Sequence, residues 1–312
     1  MVEQIIVIGS GPAGYTAALY AAREGFNPLV ITGINIGGQL ILTTAVENYP
    51  GFPDGVYGAD LMEMMKKQAE KFGSRFAYED VTDVDFSKKP FKIKTKSNEY
   101  EARSVIIATG ASANWLGLPS EQKFIGKGVS SCATCDGPFF KGKDVVVVGG
   151  GDTAMTDSIF LTKFANSVTI VHRRDSFRAS KIMQERAMAN NKIKVRWNSV
   201  VEEIRGDAKV SSVSIKDTVT GKVEEMPISG VFVAIGYSPN TKFLEGKVKL
   251  DEHGYIATED EVKTGIEGVF AAGDAVDHVY RQAISAAGSG AKAALEAREY
   301  LQNMDYVESS KK

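Results

Sequence analysis

The sequence predicts an α/β fold of two parallel-sheet domains, one inserted into the other, on three observations. A strand, a glycine turn and a helix follow one another twice at matched spacing. Three more apolar strands run straight into glycine, as strands of a parallel sheet do where ligands gather at their carboxyl ends. The chain is also interrupted by turn-rich segments at Asn114–Pro119 and Tyr237–Asn240, where it can cross between domains.

The first copy of the pattern is Ile5-Ile6-Val7-Ile8-Gly9-Ser10-Gly11-Pro12-Ala13-Gly14. Its β-branched run reads as a buried strand, and Tyr15, Ala18, Leu19 and Ala22 continue as a helix that Gly25 stops before a second strand, Pro28–Ile31. The second copy is Val145-Val146-Val147-Val148-Gly149-Gly150-Gly151-Asp152-Thr153-Ala154, followed by a helix through Met155, Ile159, Leu161 and Phe164 and a strand Ser167–Val171. Gly9 to Thr32 and Gly149 to His172 are the same distance apart in the chain. Each copy has the form of a dinucleotide-binding βαβ opening, in which the backbone approaches a pyrophosphate at the positive end of a helix. The further strands are Val105–Ile107 before Ala108-Thr109-Gly110, Val231–Ile235 before Gly236, and Val269–Ala272 before Gly273-Asp274. The domain expectation is therefore 1–113 with 244–312 as one unit and 114–243 as the inserted one.

Composition excludes several classes of function. The chain has 312 residues, 43% hydrophobic and 24% charged, enough for two buried cores. With 37 basic and 39 acidic side chains it carries no basic footprint for nucleic acid or an anionic membrane. No apolar run approaches the roughly 20 residues that span a bilayer. The amino terminus enters a strand without the pattern of a signal peptide, so cytoplasm is the expected compartment.

The residues after each second strand distinguish the two expected ligands. In the second copy the acid that would meet a free ribose hydroxyl is replaced by His172-Arg173-Arg174, with Arg178 close behind, a set suited to the 2′-phosphate of NADP. In the first copy the same place reads Thr32-Gly33, with neither acid nor base. Asp274, at the end of a late strand, is placed to accept hydrogen bonds from a polyol such as a flavin's ribityl chain, or to cap the next helix. That helix, Arg281–Ala291, is rich in small residues, and its amino terminus would stabilise negative charge on a reduced flavin.

The two cysteines, Cys132 and Cys135, are the only ones in the chain. Two residues separate them, so they can close a disulfide with little backbone movement, and a thiol near a helix amino terminus is the more reactive. A zinc site needs further ligands, and His172, His253 and His278 are scattered, so no metal is expected. Asp136, directly after Cys135, is the candidate proton relay, although an aspartate before Gly137-Pro138 is also an ordinary turn residue.

Taken in order, Gly9-Ser10-Gly11-Pro12-Ala13-Gly14-Tyr15, Gly37-Gly38-Gln39-Leu40, Ala108-Thr109-Gly110-Ala111, Cys132-Ala133-Thr134-Cys135-Asp136-Gly137, His172-Arg173-Arg174 with Arg178, and Gly273-Asp274 with Arg281-Gln282-Ala283 resemble the low-molecular-weight thioredoxin reductases. The resemblance implies two Rossmann-like domains, an NADPH domain carrying the dithiol inserted into a FAD domain, and a homodimer that passes electrons from NADPH through FAD and Cys132/Cys135 to thioredoxin or a thioredoxin-like protein. It assigns Gly37, Gly38, Gln39, Asn48, Asp274, Arg281, Gln282 and Ala283 to FAD, beside the turn residues Gly9, Gly11, Pro12, Ala13 and Gly14 and the strand ends Ala108, Thr109, Gly110 and Gly273. NADPH falls to Gly149, Gly151, Asp152, Thr153, Ala154, His172, Arg173, Arg174 and Arg178. One departure is visible: after Ala154 the family's pair of acids is replaced by Thr156-Asp157. The rivals are a ferredoxin or flavodoxin reductase of the same fold, which would lack the cysteine pair, and a peroxide-system reductase, which would carry an extra amino-terminal redox domain. Two more are a dithiol oxidase, which would leave the arginines without purpose, and a non-catalytic nucleotide sensor.

Overall fold

The computed structural model of the chain describes residues 1–43 and 45–310. Two compact units emerge, Met1–Ser112 with Ser238–Lys312, and Ala113–Tyr237. The inserted unit thus ends six residues before the 243 read from sequence. The reason is local: Asn240 donates its backbone N–H to the Gly110 carbonyl and its side-chain amide to the Thr109 carbonyl, and Leu244 is fully buried in the core of the first unit.

In the first unit four parallel strands lie in the order Arg75–Ala77, Leu29–Ile31, Val2–Ile8, Glu99–Ile107. The last of them serves two neighbours along its length. Its start pairs antiparallel with Phe91–Thr95, and its end pairs parallel with Val269–Ala271. Ile5, Ile6, Val7, Val105, Ile106 and Ile107 are fully buried, as expected of strands covered on both faces. Two helices cover one of those faces, Pro12–Arg23 and the long Ala283–Ser309. They approach each other closely because their contact is made of alanine and glycine: Ala17, Ala21, Ala293 and Ala297 are fully buried, and a Cβ on Gly290 would overlap the Ala13 carbonyl. The second helix runs well beyond the Ala291 at which the small-residue pattern of the sequence ends.

The second unit holds a five-stranded parallel sheet in the order Val129–Ser130, Gly230–Ala234, Asp144–Gly149, Ser167–Val171, Ile193–Arg196. One face packs helix Asp152–Leu161 through Ala154, Met155 and Leu161. The other packs an antiparallel meander of Ser199–Gly206, Val210–Asp217 and Val223–Pro227 through Ile204, Val213 and Ile215. No helix among the described residues is long and apolar enough to cross a membrane.

Candidate functional site

Each unit carries one glycine turn between a central strand and the helix that follows it, and the individual glycines have different jobs. In the first turn a Cβ on Gly9 would overlap the Ala108 carbonyl, and one on Gly14 would overlap the carbonyl of Gly9. These two are needed for strand, turn and helix to touch. A Cβ on Gly11 would meet no protein atom within 4 Å, so the open side of the turn lies there, at the end of helix Pro12–Arg23 where backbone N–H groups have no partner in the helix. The second turn divides the work similarly. A Cβ on Gly149 would overlap the Ala234 carbonyl, while Gly151 faces open space.

Around the first turn the structure gathers segments far apart in the chain. The buried Ser10 hydroxyl donates to the Thr32 carbonyl (2.7 Å) and accepts the Gly37 N–H (3.0 Å), which ties the loop after the second strand to the turn. Gly37 has φ 93°, a left-handed conformation that favours glycine, and a Cβ on Gly38 would stand 3.4 Å from the Gly11 Cα. Gln39 follows in the 3₁₀ turn Gly38–Leu42. Asn48 donates to the Gln282 side chain (3.2 Å), joining that loop to the cap of helix Ala283–Ser309. Arg281, at φ 47°, is held by a tight turn in which the Asp277 carboxylate accepts the N–H groups of Val279 and Tyr280.

Of the five buried polar atoms in this unit that have no partner among the described residues, two, Thr109 Oγ1 and Asp274 Oδ1, stand just past the ends of the strands that lead to Gly110 and Gly273. Burial pushes the Asp274 carboxyl up to about 7, the nearby Asp277 adds to the shift, and Arg281 opposes it. A native fold rarely leaves such groups unsatisfied, so a carboxyl and a hydroxyl waiting beside an open glycine turn fit a polar ligand. This donor set suits a hydroxylated, phosphorylated cofactor.

At the second turn the residue between the glycines does its work with its backbone. The Gly150 carbonyl accepts the N–H groups of Arg178 (2.8 Å) and Ala179 (3.1 Å). A Cβ there would overlap the His172 ring. That ring is buried beside Phe177 and Trp197, with Nε2 3.0 Å from the Ser176 carbonyl, so His172 offers packing beneath the turn. Arg173, Arg174 and Arg178 are exposed at the end of strand Ser167–Val171, and none forms an ion pair among the described residues. Asp152 opens helix Asp152–Leu161, and its carboxylate accepts both the N–H (2.9 Å) and the hydroxyl (2.7 Å) of Ser180, bonds that hold it below its ordinary range. Thr153 and Ala154 follow in the same turn of helix, Ala154 fully buried. Thr156 lies exposed on that helix and Asp157 half-buried.

Cys132 and Cys135 form a disulfide, Cα to Cα 5.3 Å, in the second unit. Cys132 is the cap of the short helix Ala133–Asp136, and its sulfur accepts the Cys135 N–H (3.2 Å) and lies 3.4 Å from the Thr134 hydroxyl. Ser130 Oγ accepts the Cys132 N–H, and the Tyr237 hydroxyl donates to the Ser131 carbonyl, so the segment is pinned on both sides. Once the bridge is opened, the Cys135 N–H and the Thr134 hydroxyl favour negative charge on the Cys132 sulfur. Burial raises the Asp136 carboxyl above its ordinary range, with the Ser130 hydroxyl acting against it. A carboxyl whose proton affinity is raised, next in the chain to a thiol pair, is suited to exchanging a proton with it. Ser10, Ser130 and Tyr237 escaped the sequence reading, because their roles depend on which backbone groups the folded strands bring within reach.

The pyridine nucleotide-disulphide oxidoreductase family model matches residues 3–290. A thioredoxin reductase from Rickettsia bellii is 55% identical over 303 residues, covering 96% of this chain and 98% of the relative. One from Mycolicibacterium smegmatis is 51% identical over 97% of this chain and 98% of its own length. Among solved structures, the thioredoxin reductase from Streptococcus pyogenes aligns with TM-score 0.93 at 43% identity over 97% of this chain and 99% of that one. The enzyme from Giardia duodenalis aligns with TM-score 0.91 at 44% identity, over 96% and 98%. The chain belongs to the pyridine nucleotide-disulphide oxidoreductases and, within them, to the thioredoxin reductase family.

Proposed function

We propose that this oxidoreductase draws electrons from NADPH, holds FAD in the unit Met1–Ser112/Ser238–Lys312 and NADPH in the unit Ala113–Tyr237, and reduces a thioredoxin or thioredoxin-like protein. The single observation that carries the reading is the Cys132–Cys135 bridge: the chain's only cysteines, paired at a helix cap and followed by Asp136, whose carboxyl burial raises above its ordinary range. Three unpaired arginines after strand Ser167–Val171 support NADPH over NADH, because a 2′-phosphate accepts charge-assisted hydrogen bonds from guanidinium groups. The unsatisfied Asp274 and Thr109, with Gly11 open between them and the Gly37–Gln39 loop, support FAD.

Bound FAD supplies a two-electron relay between the nicotinamide and the disulfide. The chain's own residues do the rest. Gly11 and Gly151 leave room for the pyrophosphates, and Asp274 accepts hydrogen bonds from the ribityl hydroxyls. With two electrons on the cysteine pair, one thiolate attacks a sulfur of the partner's disulfide and forms a mixed disulfide. The second cysteine sulfur then displaces it, the Cys132–Cys135 bond re-forms, and the partner leaves with both electrons. Asp136 delivers the proton that the departing thiolate needs. Exposed Tyr20 and Met64 at an apolar groove between helices Pro12–Arg23 and Gly58–Lys71 support a homodimer. A reducing cytoplasm is the compartment in which such a dithiol turns over.

Cys132→Ser and Cys135→Ser test the path. In each variant NADPH still bleaches the flavin under anaerobic conditions, and thioredoxin reduction is abolished, because one sulfur cannot complete the exchange. Near-normal turnover of thioredoxin by either variant would remove the dithiol from the electron path.

A further inference from the structure

The end of strand Leu29–Ile31 is where a βαβ dinucleotide frame keeps an acid for the adenosine ribose, and in this chain Thr32-Gly33 stand there without one. The Thr32 hydroxyl is not a substitute. It is buried and donates to the Gly33 and Ala77 carbonyls. The fold nevertheless brings a carboxylate to the same place from the neighbouring strand. Thr32 and Gly33 continue the pairing with the segment after strand Arg75–Ala77, through Thr32 N–H to the Ala77 carbonyl (2.9 Å) and Gly33 N–H to the Glu79 carbonyl (3.1 Å).

This register sets Asp80 over the Gly33-Ile34 turn. Its Oδ1 accepts the Ile34 N–H (2.9 Å) and stands 3.3 Å from where a Gly33 Cβ would be. Glycine at φ 76° both makes the turn and leaves room for the carboxylate. Asp80 is exposed, and among the described residues that N–H is its single partner, so Oδ2 remains an available acceptor. The adjacent acid is ruled out for the same task, because the Glu79 carboxylate is already engaged by Thr95, Asn98 and Tyr100. The Ser10 hydroxyl, bonded to the Thr32 carbonyl and Gly37 N–H, ties this spot to the open pyrophosphate turn.

We propose that Asp80 is the ribose acid of the first dinucleotide frame, supplied across the sheet: Oδ1 fixes the turn and Oδ2 accepts a hydrogen bond from the adenosine ribose diol of the bound flavin. The assignment rests on the FAD reading above. It has a second consequence. A carboxylate there repels a 2′-phosphate, so the same side chain keeps NADPH out of the first frame while Arg173, Arg174 and Arg178 hold it in the second.

The test compares FAD with a flavin analogue carrying 2′,3′-dideoxyadenosine, bound to the full chain after its own flavin is removed, with affinity read from flavin fluorescence. A charge-assisted hydrogen bond predicts that the wild-type chain prefers FAD by about tenfold to a hundredfold. Asp80→Ala removes the preference. Asp80→Asn, which retains a carbonyl oxygen for the Ile34 N–H and therefore the wild-type melting temperature, reduces it, and this variant carries the test if Asp80→Ala does not fold. Equal wild-type affinity for the two flavins, or a preference undiminished in Asp80→Asn, would overturn the assignment and leave Asp80 as a turn residue. Binding of neither flavin by the wild-type chain would overturn the flavin reading itself, and this assignment with it.

Discussion

The two glycine turns are built on one plan and differ in the residue after the first glycine. In the first, Ser10 reaches out with its hydroxyl and fastens the Gly37 loop to the turn. In the second, Gly150 has no side chain, the His172 ring fills the space, and the Gly150 carbonyl fastens the arginine loop at Arg178 and Ala179. The first glycine packs against a neighbouring carbonyl and the third faces outward in both turns, whereas Gly14 of the first turn is matched by Ala154 in the second. What changes is which loop the turn holds, and thus which chemistry meets the far end of the ligand: glycine backbone and a borrowed carboxylate in one unit, three guanidinium groups in the other. A dinucleotide frame is generic, and its choice of ligand lies in the loop fastened to it.

The largest expected effect comes from filling the helix contact of the first turn, where Gly14 stands in the place that Ala154 takes in the second. Gly14→Val puts side-chain atoms inside the Gly9 carbonyl and should destabilise the first unit by about 3 kcal/mol or more, measured by denaturant unfolding. A wild-type midpoint would show that helix and turn are not in contact. The outward glycines sharpen the comparison instead. Gly11→Ala and Gly151→Ala meet no protein atom within 4 Å, so each should fold with a change of about 1 kcal/mol or less. Each should weaken only its own ligand, Gly11→Ala the flavin and Gly151→Ala NADPH, by roughly tenfold to a hundredfold as charge-assisted contacts to a pyrophosphate are lost. Fluorescence titration reads both, and loss of the other ligand in either variant would contradict the division.

The two frames also carry acids of opposite character, which gives the smallest effect. Asp274 titrates in the folded chain at about 7, above its ordinary value, so the stability tied to its neutral form is present below the ordinary carboxylate range and is lost as pH rises through 7. In the flavin-free chain the unfolding free energy of wild type relative to Asp274→Asn should therefore fall between pH 5 and pH 7, by no more than about 1.4 kcal/mol per pH unit. Asp152, lowered by its bonds to Ser180, has the reverse sign: its contribution is present above the ordinary carboxylate range and is lost as pH falls. A constant difference between wild type and Asp274→Asn across that range would mean that the Asp274 carboxyl is solvated.

What the sequence made legible was what is local in the chain. Strand, turn and helix of each frame lie within a few residues of one another, and the cysteine pair spans a single turn, so periodicity and glycine spacing were enough. Asp80 was invisible because its role depends on the register between Leu29–Ile31 and Arg75–Ala77, which no local pattern states. His172 was read beside the arginines because it adjoins them in sequence. Its burial against Phe177 and Trp197 depends on strand Ile193–Arg196 turning back beneath the loop. Helix Ala283–Ser309 outran its expected end because its later turns, Ala293, Ala294, Ala297 and Leu301, bury small and apolar side chains at intervals that the opening run of alanine and glycine obscured.

If loop chemistry assigns the ligands, removing the guanidinium groups from one loop should change the choice of nicotinamide cofactor and little else. The residues Arg173, Arg174 and Arg178 are exposed, and the bonds that Arg174 and Arg178 make to Asn198 and Gly150 are backbone bonds that alanine retains, so the triple alanine variant should melt like wild type. Steady-state kcat/KM with NADPH and with NADH is then the deciding measurement. NADPH efficiency should fall by a hundredfold or more, at about 1.5 to 3 kcal/mol for each charge-assisted bond, while NADH efficiency stays near its wild-type value. Equal losses with the two cofactors would contradict this, because the loop would then be supporting the turn and not choosing the ligand.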